Sequence, residues 1–127
     1  MTTLRDVPLR PVPTAEPGTA LDEALRLMNG DPLKTVVLVG DGTYLGVFDA
    51  GSADSGGVPR DLDPATLAVG PYAYTPRVVG RPNTPVDQTL LAAMRRAGQD
   101  VLPVVRNNTF LGVVTREDLE GVEARTP

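Results

Sequence analysis

Hydrophobic positions follow the same order twice along the chain: a short amphipathic stretch, then two short apolar runs separated by a polar tip. In the second copy the apolar runs are 101–105 and 110–114, and Asn107 and Asn108 form the tip. Asparagine tolerates positive φ, so this pattern predicts two strands joined by a tight hairpin turn.

The first copy predicts a similar hairpin, from strand 35–39 through Asp41 and Gly42 to strand 44–48. Asp-Gly is the strongest two-residue hairpin signal in the sequence. The unbroken aliphatic run in the first of these strands predicts burial on both of its faces.

A predicted amphipathic helix precedes each hairpin. The first opens at a capping box over 19–22 and stops at Gly30. The second opens at Thr84, has Pro85 at its first helical position and stops at Gly98. The predicted buried residues are Leu21, Leu25 and Met28 in the first helix, and Val86, Leu90, Ala93, Met94 and Ala97 in the second.

Different structures are predicted after the two hairpins. Thr115 and Asp118 form a Thr-x-x-Asp arrangement, which predicts a capped helix directly after the second hairpin. Residues 49–63 are poor in apolar side chains and rich in Gly, Ser and Asp. That composition predicts a loop, or at most a broken helical turn, linking the two halves.

Two further stretches are predicted to be extended. Residues 1–11 contain two prolines, so they can pair along a sheet edge but not form a helix. Prolines also interrupt 64–78, where Tyr72 and Tyr74 are interpreted as cover for a core edge; stacking on a ligand is the alternative.

Composition narrows the function. A chain of 127 residues makes one shared core rather than two independent ones. The net charge of −4 provides no positive field for nucleic acid or an anionic membrane, so neither is an expected partner. Eleven of the twelve basic residues are arginines, which suit forked contacts with phosphate or carboxylate, although a coding bias toward arginine is the favoured explanation.

The chain contains no Cys and no His, which excludes thiol nucleophiles, disulfides, imidazole bases and the usual zinc sites. The N-terminus has no basic region followed by an apolar core, and the longest aliphatic run, 36–39, is far too short to span a membrane. A cytoplasmic location is expected.

The two halves align as an internal repeat. Pro17 matches Pro82 at a spacing of 65 residues, and after one inserted residue Gly46 matches Gly112. An internal repeat says more about organisation than any single motif.

The second repeat resembles a CBS domain, the module named after cystathionine beta-synthase. The resemblance lies in the helix over 84–98, in Leu-Pro-Val at 102–104, and in Gly-Val-Val-Thr-Arg-Glu-Asp-Leu at 112–119. The first repeat resembles it less, because its closing segment is altered. Two such repeats in tandem form a CBS pair, or Bateman module, here predicted as 1–63 and 64–127.

The resemblance implies an α/β (α+β) fold with pseudo-twofold symmetry, in which small mixed sheets pack with short helices. Members typically bind AMP, ADP, ATP or S-adenosylmethionine in clefts between repeats, and they usually dimerise. Most are regulators and not enzymes. The resemblance thus implies an adenosyl ligand, no required cofactor, a homodimer and an effector protein that reads the signal.

The resemblance also assigns roles to Asp118 and Thr115: the Asp of the motif binds the ribose hydroxyls, and the Thr lies near the phosphates. A carboxylate can accept both protons of a cis-diol, and a helix start offers backbone donors to phosphate. The alternative is that both residues only cap their own helix. Arg116 is a candidate phosphate ligand or a solvated surface charge.

Family ligands also contact the start of the repeat and the strand before the Pro-Val pair. This part of the resemblance adds six candidates, for which core packing or a surface charge is the alternative: Val79, Gly80, Arg81, Val101, Leu102 and Pro103.

The first repeat departs from the pattern, because Asp49 replaces the Thr and Ser52 replaces the Asp. A carboxylate repels phosphate, and a serine cannot replace a carboxylate clamp. The first site is therefore expected to be empty or changed in ligand, and one nucleotide is expected per chain.

Two functions follow from these observations. The first is a regulator that senses an adenosyl ligand; the second is a ligand-free dimerisation or scaffold module of the same fold. The apolar faces of the two amphipathic helices are expected to leave surface for a second copy. An enzyme is not expected, since no base, nucleophile or metal cluster is evident.

Overall fold

The computed structural model describes residues 2–55 and 61–125 of the chain. It confirms the predicted α/β (α+β) class, with short helices and small sheets. The helices are α1 (Leu21–Asn29), α2 (Ala50–Ser55), α3 (Gln88–Arg96) and α4 (Arg116–Arg125). The strands are β1 (Thr14–Ala15), β2 (Thr35–Gly40), β3 (Thr43–Asp49), β4 (Val101–Arg106) and β5 (Thr109–Thr115).

The chain divides into two compact units. One, called here the continuous unit, is Val12–Thr75; the other, called the split unit, combines Met1–Pro11 with Pro76–Pro127. Each unit therefore contains one hairpin. The predicted repeat boundary between residues 63 and 64 concerns the sequence repeat and stays a prediction.

Both predicted hairpins are confirmed. β2 pairs antiparallel with β3, and β4 pairs antiparallel with β5. At the tips, Asp41, Gly42, Asn107 and Asn108 have φ values of 50°, 76°, 49° and 66°. Positive φ at both central residues is what a two-residue turn needs to match the twist of its strands.

In the continuous unit, a second segment pairs along each side of the hairpin. β1 runs parallel to β2 on one side. On the other side, Tyr74 exchanges two backbone hydrogen bonds, of 2.9 and 2.8 Å, with Val47 of β3. Tyr74 comes from the stretch that precedes the second repeat.

The split unit repeats this arrangement. Gly80 lies parallel to Val104 of β4 on one side. On the other side, Arg10 exchanges two backbone hydrogen bonds, of 2.7 and 3.0 Å, with Val113 of β5. The prediction that residues 1–11 pair along a sheet edge is thus confirmed, and Arg10 and Tyr74 occupy equivalent edge positions.

Glycines in the two hairpins allow this close approach. A Cβ atom on Gly46 would lie 2.8 Å from the carbonyl oxygen of Tyr74, and one on Gly112 would lie 2.9 Å from the Cβ atom of Leu9. Any side chain at these two positions would therefore push the edge segment away from the sheet.

Each unit has its own apolar core, so the prediction of one shared core is wrong. Both faces of β2 are buried over Thr35 to Leu38, as predicted. The core of the continuous unit consists of Leu21, Ala24, Met28, Val36, Leu38, Phe48 and Val69. The core of the split unit consists of Leu4, Val7, Val86, Leu90, Leu91, Met94, Leu102, Val104, Val114 and Leu119.

The predicted starts of the first two helices are wrong. The N-cap of α1 is Ala20 rather than Thr19, and it makes no side-chain cap bond. The N-cap of α3 is Asp87, whose carboxylate accepts from a backbone N–H of the first turn at 3.0 Å. The Thr84 hydroxyl instead accepts from the backbone N–H of Arg81 at 2.9 Å, because the chain makes a turn there before the helix begins.

Helical structure also appears where loops or extended chain were predicted. Residues 50–55 form α2, while residues 56–60 of the predicted linker lie outside the described residues. Single 3-10 turns occur at Leu4–Asp6, Pro64–Thr66 and Gly70–Tyr72. These turns are too short to show a period in the sequence.

The helix faces proposed for dimerisation are not available. Leu21, Val86, Leu90 and Met94 have exposed fractions of 0, 5, 8 and 0%, and Leu25 is half-buried. These side chains fill the core of their own unit, so the expectation that they leave apolar surface for a second copy is wrong.

Candidate functional site

The predicted ligand-binding residues all lie in the split unit. Thr115 is the last residue of β5, and Arg116 is the first residue of α4. Val101, the first residue of β4, is the register partner of Thr115. The end of the β4–β5 hairpin and the start of α4 thus form one small site.

Thr115 and Asp118 cap α4 reciprocally. The Thr115 hydroxyl accepts from the backbone N–H of Asp118 at 3.1 Å, and the Asp118 carboxylate accepts from the backbone N–H of Thr115 at 3.3 Å. This is the predicted capping box, which satisfies two backbone donors at the helix start.

Asp118 has a second partner that the sequence did not predict. Nε and one terminal nitrogen of Arg10 each donate to a different carboxylate oxygen of Asp118, both at 2.7 Å. Such a forked bond is the strongest common arrangement between a guanidinium and a carboxylate. The Arg10 side chain is 52% exposed and that of Asp118 is 25% exposed.

This pairing controls the charge of Asp118. The hydrogen bond from Arg10, assisted by those from Thr115, lowers the pKa of Asp118 from its ordinary value of 3.8 to about 2, despite partial burial. Asp118 is consequently ionised at neutral pH and acts only as a hydrogen-bond acceptor.

Lowering the pH should therefore reduce the stability of the wild type more than it reduces the stability of an Arg10→Gln variant. A carboxyl whose folded pKa is depressed stabilises the protein above its ordinary pKa and loses that contribution as the pH falls through the folded value. The window here runs from 3.8 down to about 2. Screening by solvent around the half-exposed Arg10 keeps this contribution small.

Urea unfolding of both proteins at pH 6, 4, 3 and 2 measures this contribution. The wild type should be more stable above pH 4, and the difference should narrow steadily as the pH falls from 4 to 2. Glu23, whose pKa is also lowered by an arginine, is unchanged in both proteins, so its contribution cancels. A difference that stays constant over the whole range would contradict the role assigned to Arg10.

Arg116 is held by its neighbours. One terminal nitrogen lies 3.1 Å from the Asp100 carboxylate, and Nε lies 3.6 Å from that of Glu120. The side chain is 33% exposed. Its predicted contact with phosphate stays a prediction, and that contact would compete with two carboxylates.

The three predicted residues of β4 have structural partners. The carbonyl oxygen of Val101 accepts from the side-chain amide of Gln99 at 2.9 Å. Leu102 is fully buried in the core of the split unit. The carbonyl oxygen of Pro103 accepts from the backbone N–H of Gly80 at 2.8 Å. Their contact with a ligand stays a prediction.

The segment 79–81 runs beside β4. Val79 is half-buried, and Gly80 is packed so tightly that a Cβ atom there would lie 2.3 Å from Leu4. Arg81 is exposed and follows Gly80 in the direction of the hairpin tip. The structure thus brings Val79 nearer to the end of the sheet that carries Thr115, whereas Arg81 lies farther along it.

The equivalent position in the continuous unit also carries a capping box, with the residue types exchanged. The Asp49 carboxylate accepts from the backbone N–H of Ser52 at 2.9 Å, and the Ser52 hydroxyl accepts from that of Asp49 at 2.8 Å. The segment was predicted to be a loop or at most a broken helical turn, but the two side chains cap α2 from both directions.

Tyr74 holds the carboxylate of this second box. Its hydroxyl donates to Asp49 at 2.6 Å. Burial, together with this bond, raises the pKa of Tyr74, so the hydroxyl keeps its proton. Tyr74 is nevertheless 43% exposed, so the interpretation of this ring as cover for a core edge holds only in part; Tyr72 does pack against the core.

Neither the role of Arg10 nor the contact of Tyr74 with Asp49 was predicted from the sequence. Both residues belong to proline-rich extended stretches with no periodic pattern. Their only sequence signal is position: each lies shortly before the first helix of a repeat. The sequence does not show that each contacts the closing motif of a hairpin at least 25 residues away.

The described residues contain neither a candidate metal cluster nor a membrane-spanning helix. Within residues 2–55 and 61–125, no three His, Cys, Asp or Glu side chains are grouped so that they could hold a metal ion. In the same part of the chain, no helix has both the length and the apolar character needed to cross a membrane.

Comparison with protein families gives one match, found twice. The family model described as CBS domain matches residues 4–52 and 74–122. No curated protein matches the sequence.

Comparison with solved structures finds the same fold. A conserved CBS domain protein of unknown function from Thermoplasma acidophilum has a TM-score of 0.79 at 21% identity, over 98% of this chain and 70% of that one. A CBS domain protein from Pyrobaculum aerophilum, complexed with AMP, has a TM-score of 0.75 at 19% identity, over 92% and 89%. The cytosolic domain of the Mg²⁺ channel MgtE, in complex with ATP, has a TM-score of 0.68 at 22% identity, over 87% and 44%.

Proposed function

This chain belongs to the CBS domain family, two copies of which lie in tandem along it, and we propose that it is a regulator that binds an adenine nucleotide or another adenosyl ligand. The candidate ligands are AMP, ADP, ATP and S-adenosylmethionine. The Pyrobaculum and MgtE proteins of the same fold were solved with AMP and ATP, which supports this ligand class.

The observation that carries the proposal is the carboxylate of Asp118. It is ionised, one quarter exposed, and placed at the start of α4 directly after the closing strand of the hairpin. An ionised carboxylate accepts two hydrogen bonds from a cis-diol, and the 2′ and 3′ hydroxyls of ribose are such a diol. Asp118 is therefore the proposed ribose ligand.

A second function is favoured by a different observation. Both oxygens of Asp118 already accept from Arg10, and one also accepts from the backbone of Thr115. A site that satisfies its own carboxylate in this way is also what a ligand-free dimerisation or scaffold module would have. The two functions differ in whether any adenosyl ligand stabilises the protein.

The rest of the proposal concerns how the signal is used. In this proposal the chain forms a homodimer in the cytoplasm and an effector protein reads its ligand occupancy. No residue has a catalytic role. The buried helix faces do not supply the dimer contact, so the dimer now depends on family membership alone.

The stoichiometry of binding tests the function. AMP, ATP and S-adenosylmethionine should first be screened by thermal unfolding, since a ligand at 100 times its dissociation constant adds about 2.7 kcal/mol. Calorimetric titration of a ligand that binds should then give one molecule per chain. The reason is that Asp49 and Ser52 replace the Thr and Asp of the motif in the first repeat.

Two equal sites per chain would contradict this assignment, as would a nucleotide bound at Asp49 and Ser52 while Asp118 stays free. A chain that none of the three ligands stabilises would favour the scaffold function instead.

A further inference from the structure

Arg10 connects the N-terminal segment to the candidate ribose ligand. Its backbone is fixed by two hydrogen bonds to Val113, two residues before Thr115. From that position its side chain reaches the start of α4 and donates to both carboxylate oxygens of Asp118 at 2.7 Å. These are the atoms that a diol would need.

The continuous unit contains the same construction with different residues. Tyr74 is fixed by two backbone hydrogen bonds to Val47 and donates from its side chain to Asp49. In both units, therefore, the side chain of the edge residue donates a hydrogen bond to the carboxylate of the capping box. Because the construction occurs twice, it is a property of the fold and not an accident of one arginine rotamer.

The pair is also weak enough to open. A guanidinium fork offers a carboxylate two hydrogen bonds and a positive charge, whereas a neutral diol offers two hydrogen bonds and no charge, so Arg10 is the stronger partner. Arg10 is however 52% exposed, and water can solvate it when it leaves. Exposed ion pairs contribute little for this reason, so the obstacle to a ligand is real but small.

Building on the proposed function, we infer that Arg10 is an internal competitor for Asp118, so that an adenosyl ligand binds only when its ribose displaces the Arg10 side chain. Arg10 then lowers the ligand affinity of the site. The protein therefore responds at a higher ligand concentration than it would without the arginine. The backbone pairing of Arg10 with Val113 does not need to change.

Replacement of Arg10 by glutamine tests this inference, with calorimetric titration of AMP, ATP and S-adenosylmethionine. The variant should bind its ligand about fivefold more tightly than the wild type, the factor that corresponds to about 1 kcal/mol. Arg10→Lys keeps the charge but loses the fork, so its affinity should fall between the two. Far-UV circular dichroism establishes that each variant is folded.

The chain offers a matched control in Arg26. It makes a forked bond to Glu23 on the surface of the continuous unit, and its side chain is 69% exposed. Arg26→Gln removes the same positive charge and the same type of pair, and the affinity should not rise. Loss of a positive charge by itself weakens the attraction of a nucleotide phosphate, so tighter binding of Arg10→Gln has no general electrostatic explanation.

A second test shows whether the effect passes through Asp118. In an Asp118→Asn background there is no charged partner to release, so Arg10→Gln should give no gain. Equal or weaker binding by Arg10→Gln, while the wild type binds, would overturn the inference and leave the proposed function in place. Absence of binding by every variant would overturn both.

Discussion

Alanine at position 46 is expected to destabilise the protein by about 2 to 3 kcal/mol. Its Cβ atom would lie 2.8 Å from the carbonyl oxygen of Tyr74 and 3.5 Å from the carbonyl carbon. These are backbone atoms, and Tyr74 is held by two hydrogen bonds to Val47, so it cannot move away without losing them. Overpacking against fixed atoms costs about this much.

Gly18 provides the matched control, because it lies in the same unit and a Cβ atom there would meet no atom within 4 Å. Urea unfolding of Gly46→Ala and Gly18→Ala should show a large loss for the first and a change within about 0.5 kcal/mol for the second. Equal stabilities would mean that the edge segment does not lie against Gly46.

The other large effect is expected on the ligand affinity of the Asp118→Asn variant. Asparagine keeps the size of the side chain and most of its capping ability, but it removes the charge that would hold a ribose diol. If Asp118 binds the ribose, the affinity should fall by at least about tenfold, or about 1.4 kcal/mol. If it only caps α4, the affinity should not change.

Asp49→Asn is the control for this variant, since Asp49 is the carboxylate of the equivalent capping box in the first repeat. The Asp49→Asn variant should bind the ligand with unchanged affinity, as measured by calorimetry. A loss of binding in Asp49→Asn and none in Asp118→Asn would place the working site in the first repeat and contradict the assignment.

Local chemistry explains why the hairpins could be predicted from the sequence. Asp41-Gly42 and Asn107-Asn108 each specify a turn with positive φ, and all four residues have that conformation. The apolar runs of β2 and β4, which precede these turns, are largely buried, as their composition indicates. Both signals involve residues that are neighbours in the sequence, which is the range over which propensity is informative.

The helix starts show where local reasoning fails. Thr84 and Asp87 both suit an N-cap, and the sequence pattern does not distinguish between them. In the structure the chain turns at Arg81, the Thr84 hydroxyl closes that turn, and the helix begins after Asp87. The choice depends on how the segment before the helix is held. The N-terminal part of the split unit holds it, because Leu4 and Arg5 donate backbone hydrogen bonds to this stretch.

The candidate site could be predicted only in part. Thr115 and Asp118 were found because their spacing is a local motif, and their capping role is confirmed. Arg10 was not found, because its contact with Asp118 spans 108 residues and no pattern in the lead-in indicates it. That missing residue is the one that changes how the site is interpreted.

Because one unit is split in the sequence, the two units become complete at different times during synthesis. The continuous unit, Val12–Thr75, has all its residues once Thr75 has been synthesised, whereas Arg10 has no partner until Val113 follows. Contacts so distant in sequence form slowly, because a long loop must close first. The continuous unit should therefore fold before the split unit on the ribosome, and the segment that carries Arg10 should be the last to dock.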